Sequence, residues 1–322
     1  MFILDPELIP IFSGAGAGLT TTLLCSPVDV AKARVQLSGK HVYSGGLLST
    51  LKIIQQNEGF RGWYKGLAPA MFTVPLFWAI YFPCYEELKR RLVALGVGDH
   101  GSAIVHMLGA VGSGFVSDIV TNPFWVVRTR LQTQFLHKKS ERYRSMTQAF
   151  IQIARDEGLI GFYKGLSASL LGLSHVAIQF PIYEWLKHKA RQRNGGEQYS
   201  ETTADLIAAS AVSKLFGSAV TYPHEVLRTR LQDNRGRAYR LVDVVKRMVK
   251  EEGIKSLYQG FKLNLIRVVP SCISTFVSYE LLMNKINELQ PPTSKVKTDS
   301  WDKKRQETRA SGVESMTPED MA

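Results

Sequence analysis

The chain has 322 residues, 45% hydrophobic and 21% charged, and its 40 basic against 28 acidic side chains give a formal net charge of +12. That much apolar surface excludes a wholly disordered chain and three cysteines exclude a disulfide scaffold, while the basic excess points to a polyanion: nucleic acid, anionic lipid or a phosphorylated small molecule. A mean hydropathy of −0.06 speaks on its own against a membrane protein, but an average conceals segregation.

Taken in chain order, the charges are segregated. Leu8–Val28 contains no Asp, Glu, Lys or Arg, and neither do Gly66–Tyr85 and Gly165–Tyr183. At about 1.5 Å per residue, a helical run of some 20 residues spans about 30 Å, the hydrocarbon thickness of a bilayer. Three further apolar stretches are interrupted: Ser102–Val127 by Asp118, Leu206–Tyr222 by Lys214, and Leu263–Met283 by Arg267. The pattern predicts six transmembrane helices. The first is not a signal peptide, because Asp5 and Glu7 stand where a basic region belongs. Residues 288–322 are polar, with Pro291-Pro292 and mixed charges, and read as a disordered tail.

Two motifs between these stretches recur three times. Pro27-Val28-Asp29-Val30-Ala31-Lys32-Ala33-Arg34 returns as Pro123-Phe124-Trp125-Val126-Val127-Arg128-Thr129-Arg130 and as Pro223-His224-Glu225-Val226-Leu227-Arg228-Thr229-Arg230. Downstream come Glu58-Gly59 with Tyr64-Lys65-Gly66, Glu157-Gly158 with Tyr163-Lys164-Gly165, and Glu252-Gly253 with Tyr258-Gln259-Gly260. A third mark, Tyr85-Glu86 with Lys89, recurs as Tyr183-Glu184 with Lys187 and, weakened, as Tyr279-Glu280 with Met283. Three repeats follow: residues 8–97, 102–192 and 203–287, each a helical hairpin. An ionised side chain in a bilayer needs a partner or a watery cavity. In the proline blocks, acid and base three apart lie on one helical face, so Asp29, Lys32, Arg128, Glu225 and Arg228 can pair between neighbouring helices.

With these motifs the sequence resembles the mitochondrial carrier family over residues 8–287. The resemblance implies an all-α membrane protein, a threefold pseudosymmetric barrel of six helices that works by alternating access and usually exchanges one solute for another. It implies a matrix gate of Asp29, Lys32, Arg128, Glu225 and Arg228, braced by Gln36, Gln132 and Gln232, with Trp125 in place of the second acid. It also implies a cytoplasmic gate of Glu86 with Lys89, Glu184 with Lys187, and Glu280, braced by Tyr85, Tyr183 and Tyr279. Met283 cannot supply its third base, so each gate is short of one charge.

Steps of seven and eleven residues back from the acid position stay on one helical face and reach Asp118 and Lys214. They either neutralise each other or make Lys214 a phosphate ligand with Asp118 as its counter-ion. By alignment with the family, Arg267 is a substrate-contact base, and a guanidinium suits bidentate phosphate binding. Trp78, His175 and Gln179 fall in the central region of helices 2 and 4. Trp78 offers a stacking face and Gln179 a paired donor and acceptor, against the plainer readings of a lipid-facing tryptophan and a packing histidine. Trp125 resembles the subgroup that moves NAD, FAD, folates and pyrimidine nucleotides, and the segments Trp78–Phe82, Ser174–Phe180 and Tyr222–Arg230 are most similar to NAD carriers. The expected function is NAD+ transport in exchange for an adenine nucleotide, with a pyrimidine nucleotide or FAD/folate carrier as the alternative.

No metal cluster or nucleophile–base pair suggests an enzyme, and no cofactor is expected. The partners implied are NAD+ and nucleotides, membrane lipid including cardiolipin, and no nucleic acid, with the carrier a monomer. The resemblance implies the mitochondrial inner membrane, with a plastid or peroxisomal membrane as the alternative. The basic connections Lys138–Arg155 and Arg235–Lys255 place themselves in the matrix by the positive-inside rule.

Overall fold

A computed structural model describes residues 9–38, 46–99, 101–193, 203–234 and 240–289. Among them every regular element is helical; the tail expected from residue 288 lies almost wholly outside them. The same order of elements appears three times. Repeat 1 has α1 (Ile9–Ser38), α2 (Gly46–Glu58) and α3 (Leu67–Ala94). Repeat 2 has α4 (Ala103–Thr133), α5 (Met146–Glu157), α6 (Leu166–Gly172) and α7 (Ser174–Arg193). Repeat 3 has α8 (Thr203–Thr221), α9 (Pro223–Asp233), α10 (Leu241–Glu252) and α11 (Phe261–Leu289). A 3-10 turn at Phe60–Tyr64, Leu159–Tyr163 and Ile254–Tyr258 follows each short helix.

The glycine and proline of the motifs set these boundaries. Gly66, Gly165 and Gly260 open the second long helix of each repeat at φ of +77°, +80° and +79°, a region costly to any residue with a Cβ. Pro27 and Pro123 lie inside continuous helices, whereas Pro223 takes the first position of α9, where a missing N–H costs nothing. Tyr222 therefore divides α8 from α9. Leu173 divides α6 from α7, beside Gly172, where the His224 ring packs so closely that an added Cβ would fall 2.5 Å from its Nε2.

Three helical stretches, Phe60–Ala94, Ala103–Leu136 and Ile254–Ile286, are long and apolar enough to cross a membrane. They contain three of the six expected spans. Of the others, the described part of Leu8–Val28, from Ile9, belongs to α1, Gly165–Tyr183 is split between α6 and α7, and Leu206–Tyr222 falls in α8 up to Thr221, with Lys214 in it.

The chain forms two compact units, dividing between Leu24 and Cys25 and between Val269 and Pro270. In the unit made from the chain's two ends, α1 and α11 approach through Gly16, where a Cβ would lie 2.5 Å from Leu282 Cδ1, and Thr21 Oγ1 bonds Thr275 Oγ1 at 2.9 Å. Small residues serve close approach in the other unit too. Gly112 of α4 admits Leu88 of α3, and Gly217 of α8 admits Gln179 of α7. Beneath each proline block sits an apolar core shared with the short helix: Val30 with Ile54, Val127 with Ile153 and Phe162, and Val226 with Met248. Fully burying each such side chain is worth roughly 1.5–3 kcal/mol.

Candidate functional site

The proline blocks bring their charges together within residues 25–269. Arg128 Nη2 lies 2.8 Å from Asp29 Oδ2, and Lys32 Nζ lies 2.5 Å from Glu225 Oε2. Lys32 also donates to Asn264 Oδ1 at 2.8 Å. Arg267 Nε reaches Asp29 Oδ1 at 2.6 Å, so one carboxylate holds two guanidinium groups. At the place of the missing second acid, the Trp125 ring stands between two cations, with Arg128 5.0 Å and Arg228 5.1 Å from its centroid. Such contacts are worth about 0.5–2 kcal/mol. Arg228 has a carboxylate only at 3.9 Å, that of Asp118. Together, Lys32, Arg128, Arg228 and Arg267 line a cavity of about 270 Å³ with two acids, Asp29 and Glu225, and Asp118 stands outside its lining.

A second tier of contacts runs cyclically from each repeat to the next. The arginine closing each proline block takes the glutamate of its own glycine block in both arms. Arg34 Nη2 meets Glu58 Oε2 at 2.9 Å, Arg130 meets Glu157 at 2.6 and 2.9 Å, and Arg230 Nη2 meets Glu252 Oε2 at 2.7 Å. Its Nε then donates across the boundary: Arg34 to Gln132 O at 2.9 Å, Arg130 to Gln232 O at 2.9 Å, Arg230 to Gln36 O at 3.0 Å. Repeat 1 thus holds 2, 2 holds 3, and 3 holds 1. Burial pushes the Glu157 carboxyl up, but hydrogen bonds from Arg130 and Lys164 outweigh it and leave it below the usual glutamate range. The Arg230 bond lowers Glu252 more than burial raises it.

Several expected site residues lie elsewhere than their motifs suggest. Asp118 is buried and its cation is Arg228, not Lys214; Lys214 is exposed and has no ion-pair partner among the described residues. The reason is reach: Arg228 of α9 is long enough to come back to the face of α4 that carries Asp118. The glutamines contact hydroxyls rather than the ion pairs. Gln36 Oε1 accepts from Thr229 at 2.8 Å and its amide donates to Tyr222 Oη at 3.0 Å, while Gln232 Oε1 accepts from Thr129 at 2.7 Å. Repeat 1 has Ala33 at the threonine position, and the Gln132 side chain packs on Gly66 instead.

At the other end of the helices, Tyr85 Oη meets His106 Nδ1 at 2.5 Å. Among the described residues Glu86, Lys89, Glu184 and Glu280 make no ion pair, and Tyr183 and Tyr279 no side-chain hydrogen bond. Lys187 has a partner of its own. Trp78 is 47% exposed and stacks on Phe82 at 5.3 Å within α3. His175 and Gln179 flank Gly217 of α8. Reading the sequence assigned no role to Arg34, Arg130, Arg230, Glu58, Glu157 and Glu252. The signal was present: both members of each pair recur in all three repeats.

Three homologous helical units joined through charged proline blocks define a membrane carrier. A family profile described as "Mitochondrial carrier protein" matches residues 7–95, 99–194 and 199–289, and the chain belongs to this family. Among its relatives, "Mitochondrial nicotinamide adenine dinucleotide transporter 1" of Saccharomyces cerevisiae is 39% identical over 302 residues, 89% of this chain and 79% of that one. "Nicotinamide adenine dinucleotide transporter 1, chloroplastic" of Arabidopsis thaliana is 37% identical over 281 residues, 84% of this chain and 89% of that one. "Solute carrier family 25 member 36" of Mus musculus is 33% identical over 308 residues, 87% of this chain and 98% of that one.

Proposed function

We propose that this carrier moves NAD+ across the mitochondrial inner membrane by alternating access, exchanging it for an adenine nucleotide. The observation that carries the reading is Trp125 held between Arg128 and Arg228, in a chain similar to NAD transporters of a plant and a yeast. A dinucleotide brings a pyrophosphate and two rings. The cationic excess suits the first and an aromatic face the second.

In this reading the charges of the proline blocks form the closed matrix gate, and Glu86, Lys89, Glu184, Lys187 and Glu280 form the opposite gate once the carrier turns over. Arg267 leaves Asp29 to take the solute's phosphate, which withdraws one of the two cations on that carboxylate and weakens the closed gate. Asp118, Lys214, Trp78, His175 and Gln179 contribute along the path. The protein acts as a monomer in contact with membrane lipid, cardiolipin included, and performs no chemical conversion.

Purified protein in liposomes loaded with NAD+, AMP, pyrimidine nucleotides, FAD or folate tests this. NAD+ taken up against internal NAD+ or AMP is expected. Uptake of pyrimidine nucleotides or flavin without NAD+ would replace the solute named here by one of those.

A further inference from the structure

The cavity at the proline blocks holds an imbalance that the ion pairs leave standing. Trp125 Nε1, Arg128 Nε, Arg228 Nη2 and Gln232 Nε2 are buried and have no acceptor among the described residues. All four side chains line the same cavity of about 270 Å³. Every one of these unmet groups is a donor, and the cavity is lined by four cations against two carboxylates, Asp29 and Glu225, while Asp118, outside the lining, stands 3.9 Å from Arg228. Burial without a partner costs roughly 1–3 kcal/mol per group, more for charged ones. A water molecule answers the hydrogen bonds but not the charge; an anion answers both. The Trp125 ring between the two arginines offsets part of the charge through its π face and leaves the N–H groups unmet.

We infer that the Trp125 cavity is a binding site for a phosphate-type oxyanion, which takes the place of the carboxylate that the other two proline blocks carry as Asp29 and Glu225. A tetrahedral oxyanion presents acceptors in several directions at once, suiting donors that arrive from α4 and α9, and guanidinium groups bind it with charge-assisted hydrogen bonds. The cavity volume falls below the about 300–1,000 Å³ typical of sites that enclose a drug-sized ligand. It has room for a phosphate group together with ordered water. That group is either free inorganic phosphate or a phosphate of the solute passing the gate. The inference stands whatever solute the carrier moves.

The test is thermal unfolding of the purified full-length protein at constant ionic strength, titrated separately with inorganic phosphate, NAD+ and AMP. Wild type should show a saturable rise in its unfolding midpoint. Trp125→Glu, which places a carboxylate in the cavity, should melt above wild type in anion-free buffer and lose the response. Trp125→Phe keeps the ring without its N–H and should raise the half-saturating concentration about tenfold, as loss of one bond to a charged group implies. A Trp125-dependent response to phosphate alone identifies a free ion, and one confined to NAD+ and AMP identifies the phosphate of the solute; both support the site. No response in wild type, or equal responses in wild type and both variants, would overturn it.

Discussion

Arg130 is 1% exposed and makes hydrogen bonds in three directions: to both oxygens of Glu157, to Gln232 O and to Asn234 O at 3.0 Å. Glu157 receives Lys164 Nζ as well, at 2.5 Å. Removing one partner of such a buried pair strands the other, a loss of about 3–5 kcal/mol. Glu157→Gln should therefore lower the unfolding free energy by about that amount in a chemical or thermal melt, with the smaller end expected because Gln still accepts one bond. The pH dependence has a definite sign. Since folding holds Glu157 and Glu252 below the usual glutamate range, their contribution is fully present above about pH 4.3, the unfolded value. It fades as the pH falls through their lower folded values. A melt series from pH 7 to pH 3 should show an acid limb in wild type and a shallower one in Glu157→Gln, where the Glu157 contribution is gone. The sequence displays these residues in every repeat, yet nothing in their spacing says that the glutamate folds back onto its own arginine. That depends on the short helix lying beneath the proline block. Asp118 illustrates the same limit: its helical face was legible, whereas its partner depends on how far an arginine from another helix extends.

At the scale of elements, the glycine ending each Tyr-Lys-Gly or Tyr-Gln-Gly block both starts a helix and meets the next repeat. A Cβ on Gly165 would lie 2.7 Å from Gln232 Cγ and 3.1 Å from Arg228 O, at a φ of +80°. Gly158, at a φ of +67°, would meet nothing within 4 Å. Gly158→Ala should thus meet no overlap and cost only its backbone conformation, which at a ψ of −166° lies in the extended positive-φ region nearly restricted to glycine, about 1–3 kcal/mol. Gly165→Ala, in the left-handed helical region at a ψ of −2°, costs about 1–2 kcal/mol in conformation, and overlap with a buried side chain and a backbone oxygen adds about 1–3 kcal/mol more, which puts it above Gly158→Ala. Unfolding midpoints of the two variants, measured side by side, check the order; equal losses would mean that the boundary between repeats 2 and 3 yields freely. The helices were legible from charge-free runs and from the glycine and proline of the motifs. The interruptions at Leu173 and Tyr222 were not, because one depends on His224 wedging against Gly172 and the other on where a proline falls relative to a helix start rather than on its presence.

At the scale of the whole molecule, three boundaries between repeats carry the same second-tier contact but unequal ion pairs. Among the proline-block charges, Asp29 with Arg128 joins repeat 1 to repeat 2 at 2.8 Å and Glu225 with Lys32 joins repeat 3 to repeat 1 at 2.5 Å, while Arg228 of repeat 3 meets repeat 2 only through Asp118 at 3.9 Å; away from these charges His137 Nε2 meets Asp233 Oδ2 at 2.7 Å across the same boundary. The threefold recurrence made this cluster of charges legible in the sequence, and the tryptophan in the second block marked where an acid is missing. The direction of pairing, each repeat to the next, came only with the fold. If opening must part all three boundaries, the electrostatic work is least between repeats 2 and 3, and a carboxylate at position 125 would raise it. A hydrogen-bonded charge pair is worth about 1.5–3 kcal/mol, and each 1.36 kcal/mol added to a rate-limiting step is about tenfold in rate. Trp125→Glu should therefore slow solute exchange in liposomes by about tenfold or more, because the added carboxylate stabilises the paired state of these blocks. An unchanged rate would mean that parting these charges does not limit exchange.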